Sequence, residues 1–148
     1  MDEDLPDAGP AGSVRTLLFR VGDRVYGCDI TDVREIVPFR PATRLPGAPP
    51  FVQGLINLRG ILTTVLDLGA WLEPGRPNAE AGSIMLVDDG RRQVGLAVDE
   101  MLDVQGIVPE PLGDASSGRN GVLKGVGRMD ETVVILLDVG TLVEQVLA

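Results

Sequence analysis

An internal repeat constrains the fold of this chain more than any other feature of its sequence. Residues 54–72 read GLINLRGILTTVLDLGAWL, and residues 125–143 read GVGRMDETVVILLDVGTLV, at a constant offset of 71 positions (125 − 54 = 71). The same offset relates 32–38 to 103–109. Polar and glycine positions are among those retained, in the pairs Gly54 and Gly125, Asp67 and Asp138, and Gly69 and Gly140. We therefore expect two related halves whose common residues form the scaffold.

The repeat is broken where a function specific to one half could lie. Within the segment Asn57-Leu58-Arg59-Gly60, Arg59 is replaced by Asp130 in the second copy. Outside this segment, Glu35 is replaced by Gly106. An arginine at a hairpin turn can be a surface residue in a weak ion pair or an anchor at a protein interface, where arginine is enriched. The asymmetry between the halves favours the interface.

Composition excludes several classes of function. With 13 basic and 22 acidic residues the net charge is −9, which disfavours binding to nucleic acid or anionic lipid. The chain has no histidine, so it lacks His-based nucleophile pairs, phospho-accepting histidine and imidazole metal ligands. We expect no metal and no cofactor. Its one cysteine, Cys28, lies in a strand pattern and is expected in the core.

The hydrophobic pattern predicts an all-β fold with two small barrels or a sandwich. Short apolar runs alternate with turn residues, which is typical of such folds. Strands are predicted at Val14–Arg20, Val25–Ile30, Phe51–Leu58, Ile61–Leu66, Ser83–Val87, Arg92–Val98, Val122–Arg128 and Thr132–Leu137. Residues 32–37 fit either a helical turn or a bent strand, and 73–82 have the composition of a linker.

Two short helices are expected, each after a strand of the repeat. Asp67 precedes 68–72 and Asp138 precedes 139–147, and both are interpreted as helix N-caps rather than as a catalytic pair. Thr141 and Glu144 also have the spacing of a capping box. The acidic, Pro- and Gly-containing residues 1–13 are expected to be a disordered tail. The longest apolar run is far shorter than the roughly 20 residues of a membrane span, so we expect a cytoplasmic protein without membrane insertion.

Several segments, taken in order, resemble the chemotaxis coupling proteins with CheW-like domains. These are LLFRVGDRVYGCDITDVREIV, RLPGAPPFVQGLINLRGILTTVLDL, RRQVGLAVDEMLDV and GVGRMDETVVILLDVGTLV, and they cover about Thr16 to Val146. Thr64 departs from the family, which usually has proline there. The resemblance implies a single domain over 14–146, with approximate subdomains 14–80 and 83–146 that exchange strands. Each subdomain would be a five-stranded SH3-like barrel, the two sharing a hydrophobic core, with a short C-terminal helix.

The resemblance also implies a function without catalysis. Such adaptors couple the cytoplasmic tips of transmembrane chemoreceptors to the CheW-like regulatory domain of a histidine kinase, in membrane arrays that include rings with the kinase or other adaptors. The partner-binding residues would be Val33, Glu35, Gly54, Asn57, Arg59 and Gly60, and a charged residue in place of Gly54 should be disruptive. A non-flagellar chemosensory pathway and, more distantly, a small enzyme that uses the carboxylates of Asp67 or Glu35 are the alternatives.

Overall fold

A computed structural model describes residues 11–88, 91–111 and 121–147, and these residues are mostly β-strand. Most of the predicted tail and residues 112–120 lie outside the described ranges. The strands are β1 Val14–Val21, β2 Arg24–Asp29, β3 Glu35–Pro38, β4 Val52–Leu58, β5 Ile61–Asp67, β6 Ser83–Asp88, β7 Gln93–Val98, β8 Glu100–Ile107, β9 Leu123–Met129 and β10 Thr132–Leu137. The helices are α1 Leu68–Leu72 and α2 Val139–Leu147.

The strands form two five-stranded sheets, and each sheet draws on both halves of the sequence. Sheet A has the order β8-β1-β2-β10-β9, and sheet B has the order β3-β6-β7-β5-β4. Equivalent strands of the repeat occupy equivalent places, since β4 and β5 end sheet B as β9 and β10 end sheet A. Strands from the two halves of the sequence pair in parallel, β10 with β2 in sheet A and β5 with β7 in sheet B. The predicted fold class is confirmed.

Two compact units correspond largely to the two sheets. Unit A combines the described residues up to Phe19 with Asp23–Thr31 and the described residues from Leu102 onward, and unit B consists of Arg20–Gly22 and Asp32–Met101. Burial of apolar side chains stabilises each unit from within. The core cluster of unit A consists of Leu18, Ile107, Val134 and Leu136, and that of unit B consists of Val37, Ile56, Leu58, Val65, Ile84, Leu86 and Ala97.

Each sheet is closed by the segment that follows one of its edge strands. In unit B, Thr43 follows β3 and exchanges two backbone hydrogen bonds of 2.9 Å with Leu55 on β4, the opposite edge. In unit A, Glu110 follows β8 and exchanges bonds of 2.8 and 2.9 Å with Val126 on β9. Leu55 and Val126 are related by the 71-residue offset. Pairing the two edges satisfies backbone groups that an open sheet would expose.

The glycines that recur in the repeat make these closures sterically feasible. Gly54 has φ +138°, and a Cβ atom there would lie 2.1 Å from the carbonyl oxygen of Thr43. A Cβ atom on Gly125 would lie 2.8 Å from the carbonyl oxygen of Glu110. Two backbones approach each other closely at both positions, and a side chain would separate them.

Three local features differ from the sequence-based expectations or extend them. Residues 32–37 contain the end of a 3₁₀ turn, Ile30–Asp32, and the first three residues of β3, so each of the two alternatives accounts for part of the segment. Strand β8 was not predicted, because its acidic residues and Gly106 interrupt the alternation of apolar positions. The predicted capping box is wrong: α2 begins at Val139, and the N–H of Thr141 donates to Asp138 Oδ1 instead.

The close backbone approach predicts a graded response to alanine. Gly54→Ala should lower the free energy of unfolding by about 3 kcal/mol, because it adds both a clash and an unfavourable φ. Gly125→Ala, with the wider separation, should cost about 2 kcal/mol. Gly47→Ala is the control, because Gly47 has φ +81° but open space around it, and should cost about 1 kcal/mol. Urea unfolding measures all three, and equal costs for Gly54→Ala and Gly47→Ala would contradict the closure.

Candidate functional site

The hairpin between β4 and β5 presents an arginine on a constrained backbone. Leu58 pairs with Ile61, which leaves Arg59 and Gly60 as a two-residue loop. Both loop residues have positive φ, 54° at Arg59 and 87° at Gly60, as a type I′ turn requires. Asn57 Oδ1 accepts a 2.8 Å hydrogen bond from the Gly60 N–H and stabilises the turn. Arg59 therefore occupies a conformation that glycine, asparagine or aspartate adopts at lower cost.

The two residues that break the repeat contact each other. Arg59 Nη2 donates to Glu35 Oε1 at 2.5 Å, joining the β4–β5 hairpin to the first residue of β3. Both side chains remain accessible, with 63% of Arg59 and 42% of Glu35 exposed. A pair this exposed contributes at most about 1 kcal/mol to stability. Its charges are therefore accessible to a partner while their geometry is set by two strands.

The equivalent hairpin in unit A has a similar backbone but different chemistry. Asp130, the counterpart of Arg59, also has positive φ, at 57°. Gly106, the counterpart of Glu35, has no side chain that could form the pair. An ion pair in this region instead joins Arg128 to Glu110 at 3.1 Å. The shared backbone belongs to the scaffold, and the Arg59–Glu35 pair is specific to unit B.

The remaining residues predicted to bind a partner differ in accessibility. Asn57 and Gly60 are exposed on the same hairpin as Arg59. Val33 is partly buried between the 3₁₀ turn and β3, and Gly54 is buried beneath Thr43. The structure thus brings Glu35, Asn57, Arg59 and Gly60 together on one accessible surface, whereas Gly54 supports the fold below it.

Exposed apolar side chains near this surface were not identified from the sequence. Ile36 is 43% exposed, Ile61 is 51% exposed and Leu62 is 69% exposed. Ile36 follows Glu35 on β3, and the other two begin β5 directly after the hairpin. Strand alternation places Leu62 on the face opposite to Thr63 and Val65, which are fully buried. From the sequence alone, however, Ile61 and Leu62 form a continuous apolar run that does not reveal which face is exposed.

Asp67 is held in a buried network with a structural role. The carboxylate is 2% exposed, and its Oδ1 accepts from the Ala70 N–H at 2.9 Å, the bond of a helix N-cap. Its Oδ2 accepts from the Ala79 N–H at 2.6 Å and from the Gln53 side-chain amide at 3.1 Å. Asp67 thus anchors both α1 and the segment 73–82, which composition alone described as a linker.

A second anchor of this segment was also missed by sequence reasoning. Arg76 Nη2 donates to Asp99 Oδ2 at 2.6 Å, and the same oxygen accepts from the Gly22 N–H at 2.7 Å. Burial by itself would raise the pKa of Asp99, but the hydrogen bonds from Gly22 and Arg76 outweigh burial and lower the pKa below its usual value of 3.8. The same hydrogen bond raises the pKa of Arg76, although burial alone would lower it. Proximity of these residues depends on tertiary contacts that composition does not reveal.

Comparison with known proteins identifies the family. A profile described as the CheW-like domain matches residues 15–147. The chain belongs to the CheW-like domain family. Chemotaxis protein CheW of Klebsiella aerogenes is 31% identical over 137 residues, 89% of this chain and 82% of that protein. Probable chemotaxis protein CheW of Rhizobium etli is 32% identical over 136 residues, 88% of each chain.

A solved CheW-like structure has the same fold. The crystal structure of scaffolding protein TtCheW from Thermoanaerobacter tengcongensis superposes with a TM-score of 0.74 at 28% identity, covering 85% of this chain and 89% of that one. No helix within the described residues is long and apolar enough to cross a membrane. Over residues 11–88, 91–111 and 121–147, no three His, Cys, Asp or Glu side chains form a group suited to a metal ion.

The backbone at Arg59 predicts that glycine is better tolerated there than alanine. Both Arg59→Gly and Arg59→Ala remove the ion pair, but only glycine relieves the positive φ. We expect the glycine variant to be about 1 kcal/mol more stable than the alanine variant in urea unfolding. The same two substitutions at Asp130 serve as the matched comparison. Equal stability of the two Arg59 variants would contradict the left-handed conformation.

The lowered pKa of Asp99 predicts a specific pH dependence of stability. A carboxylate whose folded pKa is depressed stabilises the fold above its unfolded pKa, near 3.8, and loses this contribution as the pH falls through the folded value. The difference in unfolding free energy between the parent and Asp99→Asn should therefore be constant above about pH 5 and shrink as the pH falls below it. Exposed Asp103→Asn is the control. A difference that stays constant below about pH 5 would contradict the assignment.

Proposed function

We propose that this chain is a non-catalytic adaptor that couples transmembrane chemoreceptors to a chemotaxis histidine kinase. The observation that carries the proposal is the exposed Arg59–Glu35 pair on its constrained hairpin. Membership of the CheW-like family and relatives named for chemotaxis support the same function. The adaptor would reside in the cytoplasm and join membrane arrays through the cytoplasmic tips of the receptors.

The geometry of the pair suits recognition of another protein. The Arg59 guanidinium can form bidentate bonds with a carboxylate, and Glu35 can accept from a cationic side chain. Because their mutual attraction is weak in solvent, a partner can replace it at small cost. The adjacent exposed side chain of Ile36 adds apolar area that a receptor helix could cover.

The two related units suit a role in extended assemblies. An adaptor that holds a receptor on one surface and the CheW-like regulatory domain of the kinase on another needs two faces. Related but unequal faces allow head-to-tail contacts, which close into rings when the rotation permits. Within an array, many weak contacts act together, so that each interface needs only modest affinity.

A non-flagellar chemosensory pathway is the second candidate. The observation that favours it is a relative with another name, Protein FrzA of Myxococcus xanthus, which is 29% identical over 84% of this chain and 86% of its own length. Both pathways need the same adaptor chemistry. Reconstitution with each histidine kinase of the source organism distinguishes them, because only the cognate kinase should respond to receptor in the presence of this chain.

Reversal of either charge should weaken receptor assembly without unfolding the protein. We expect Arg59→Asp and Glu35→Lys each to reduce co-sedimentation with a receptor cytoplasmic fragment and the kinase regulatory domain by about tenfold, since truncating a bound charge typically costs more than 1.4 kcal/mol. Melting temperatures should change by less than about 3 °C, because the pair is exposed.

Two controls separate partner contact from the ion pair itself. Arg128→Asp reverses another exposed, ion-paired charge, in unit A, and tests the effect of net charge on receptor binding. The charge-swapped variant Glu35→Arg with Arg59→Glu restores the internal pair but presents reversed charges to a partner. Recovery of receptor assembly in this variant, or normal assembly of both single variants, would contradict the proposal.

A further inference from the structure

We propose that a groove in unit B, next to the hairpin, binds an acidic segment of a partner protein that also carries apolar side chains. The groove has a volume of about 400 Å³ and is lined by Arg34, Ile61, Leu62, Asp88, Arg91, Arg92 and Gln93. This volume falls within the range of small binding sites. The inference does not depend on the Arg59–Glu35 pair or on the identity of the receptor.

The charge of the groove is opposite to that of the whole chain. Three of its lining residues are arginines and one is an aspartate, in a chain whose net charge is −9. Arg34 pairs with Asp88 at 2.5 Å, yet 65% of the Arg34 side chain remains exposed. A local basic region attracts acidic partners, even on a chain whose net charge is negative.

The walls of the groove are held by backbone and side-chain bonds. The Arg34 N–H donates to the Leu86 carbonyl oxygen at 2.8 Å, which fixes the approach to β3 against β6. The Gln93 side-chain amide donates to Thr63 Oγ1 at 3.0 Å, which joins the starts of β7 and β5. Four of the lining residues lie on paired strands, namely Ile61, Leu62, Asp88 and Gln93. This part of the groove is largely preformed, so it needs little ordering when a partner binds.

The apolar lining favours a peptide over other anions. Leu62 and Ile61 are 69% and 51% exposed, and covering them releases water only if the ligand has apolar groups of its own. Phosphate alone would leave both side chains in water.

The internal repeat shows that this chemistry is specific to unit B. The 71-residue offset replaces Arg34 by Gln105 and Ile61 by Thr132, whereas Leu62 is replaced by Val133. Val133 is also exposed, at 60%. An outward apolar residue on this strand is thus common to both units, whereas the basic Arg34 and the additional apolar Ile61 are not. The repeat therefore supplies Val133 as a matched control for Leu62.

The test is a titration of the full chain with designed peptides, in which amide chemical shifts in NMR spectra report binding. The probe is a capped peptide of three Glu-Glu-Leu-Glu repeats. The comparison probes are three Lys-Lys-Leu-Lys repeats, three Glu-Glu-Ser-Glu repeats and inorganic phosphate. We expect the first peptide to shift the amides of Ile61, Leu62 and Gln93, and to bind about tenfold more tightly than the serine peptide.

Matched variants locate the binding site. Arg91→Glu with Arg92→Glu should weaken binding by about tenfold, and Leu62→Ala should weaken it by several-fold. Arg40→Glu with Arg44→Glu makes the same change in net charge at exposed positions outside the groove and should leave peptide binding unchanged. Val133→Ala, the control for Leu62→Ala, should also leave binding unchanged. Melting curves identify any variant that unfolds, and Arg91→Gln with Arg92→Gln then replaces the charge reversal.

Four outcomes would overturn the proposal. Equal binding of the leucine and serine peptides, or shifts produced by phosphate alone, would make the groove a simple anion site. Binding that is unaffected by the Arg91 and Arg92 variants would place the peptide elsewhere. A parent chain that co-sediments with receptor but is not shifted by the leucine peptide would refute this inference and leave the adaptor function intact.

Discussion

The close approach of backbone at Gly54 and Thr43, and at Gly125 and Glu110, is the constraint on which the rest of the structure depends. Without it, the edges of each sheet would present unpaired N–H and C=O groups. With it, the segment after the first edge strand hydrogen-bonds to the last strand, and the ring of strands is complete. The site hairpin extends from β4, the strand that carries Gly54. The closure therefore helps to fix the direction in which the hairpin projects.

The exchange of strands between the halves has a consequence for how function is distributed. Because β3, β4 and β5 share sheet B with β6 and β7, unit B contains both the hairpin of the first half and the β6–β7 strand pair of the second. Glu35 and Arg59 can therefore lie close to the groove and to Asp88, which pairs with Arg34 although it is 54 residues away in sequence. A chain folded as two sequential barrels would separate them.

The local pattern of apolar and turn residues was enough to predict most strands and the fold class, and the internal repeat pointed to Arg59 and Glu35. Strand β8 escaped prediction because its exposed acidic residues remove the apolar alternation on which such predictions rely. The contact between Arg59 and Glu35 could not be predicted from either residue alone, since it requires β3 to meet the β4–β5 hairpin across a closed sheet. Similarly, segment 73–82 has the composition of a linker, and only the tertiary structure shows that Arg76 and Asp67 hold it in place within unit B.

The contrast between Arg59 and Asp130 connects the repeat to function. Both residues occupy the left-handed region, so the scaffold imposes the same conformation on both hairpins. Aspartate tolerates this conformation better than arginine, because its short side chain can bond locally. The Arg59–Glu35 ion pair, exposed as it is, offsets the extra cost only in part. Stability alone would thus favour glycine, asparagine or aspartate at position 59, and the guanidinium group is better explained by what it can bind than by what it adds to the fold.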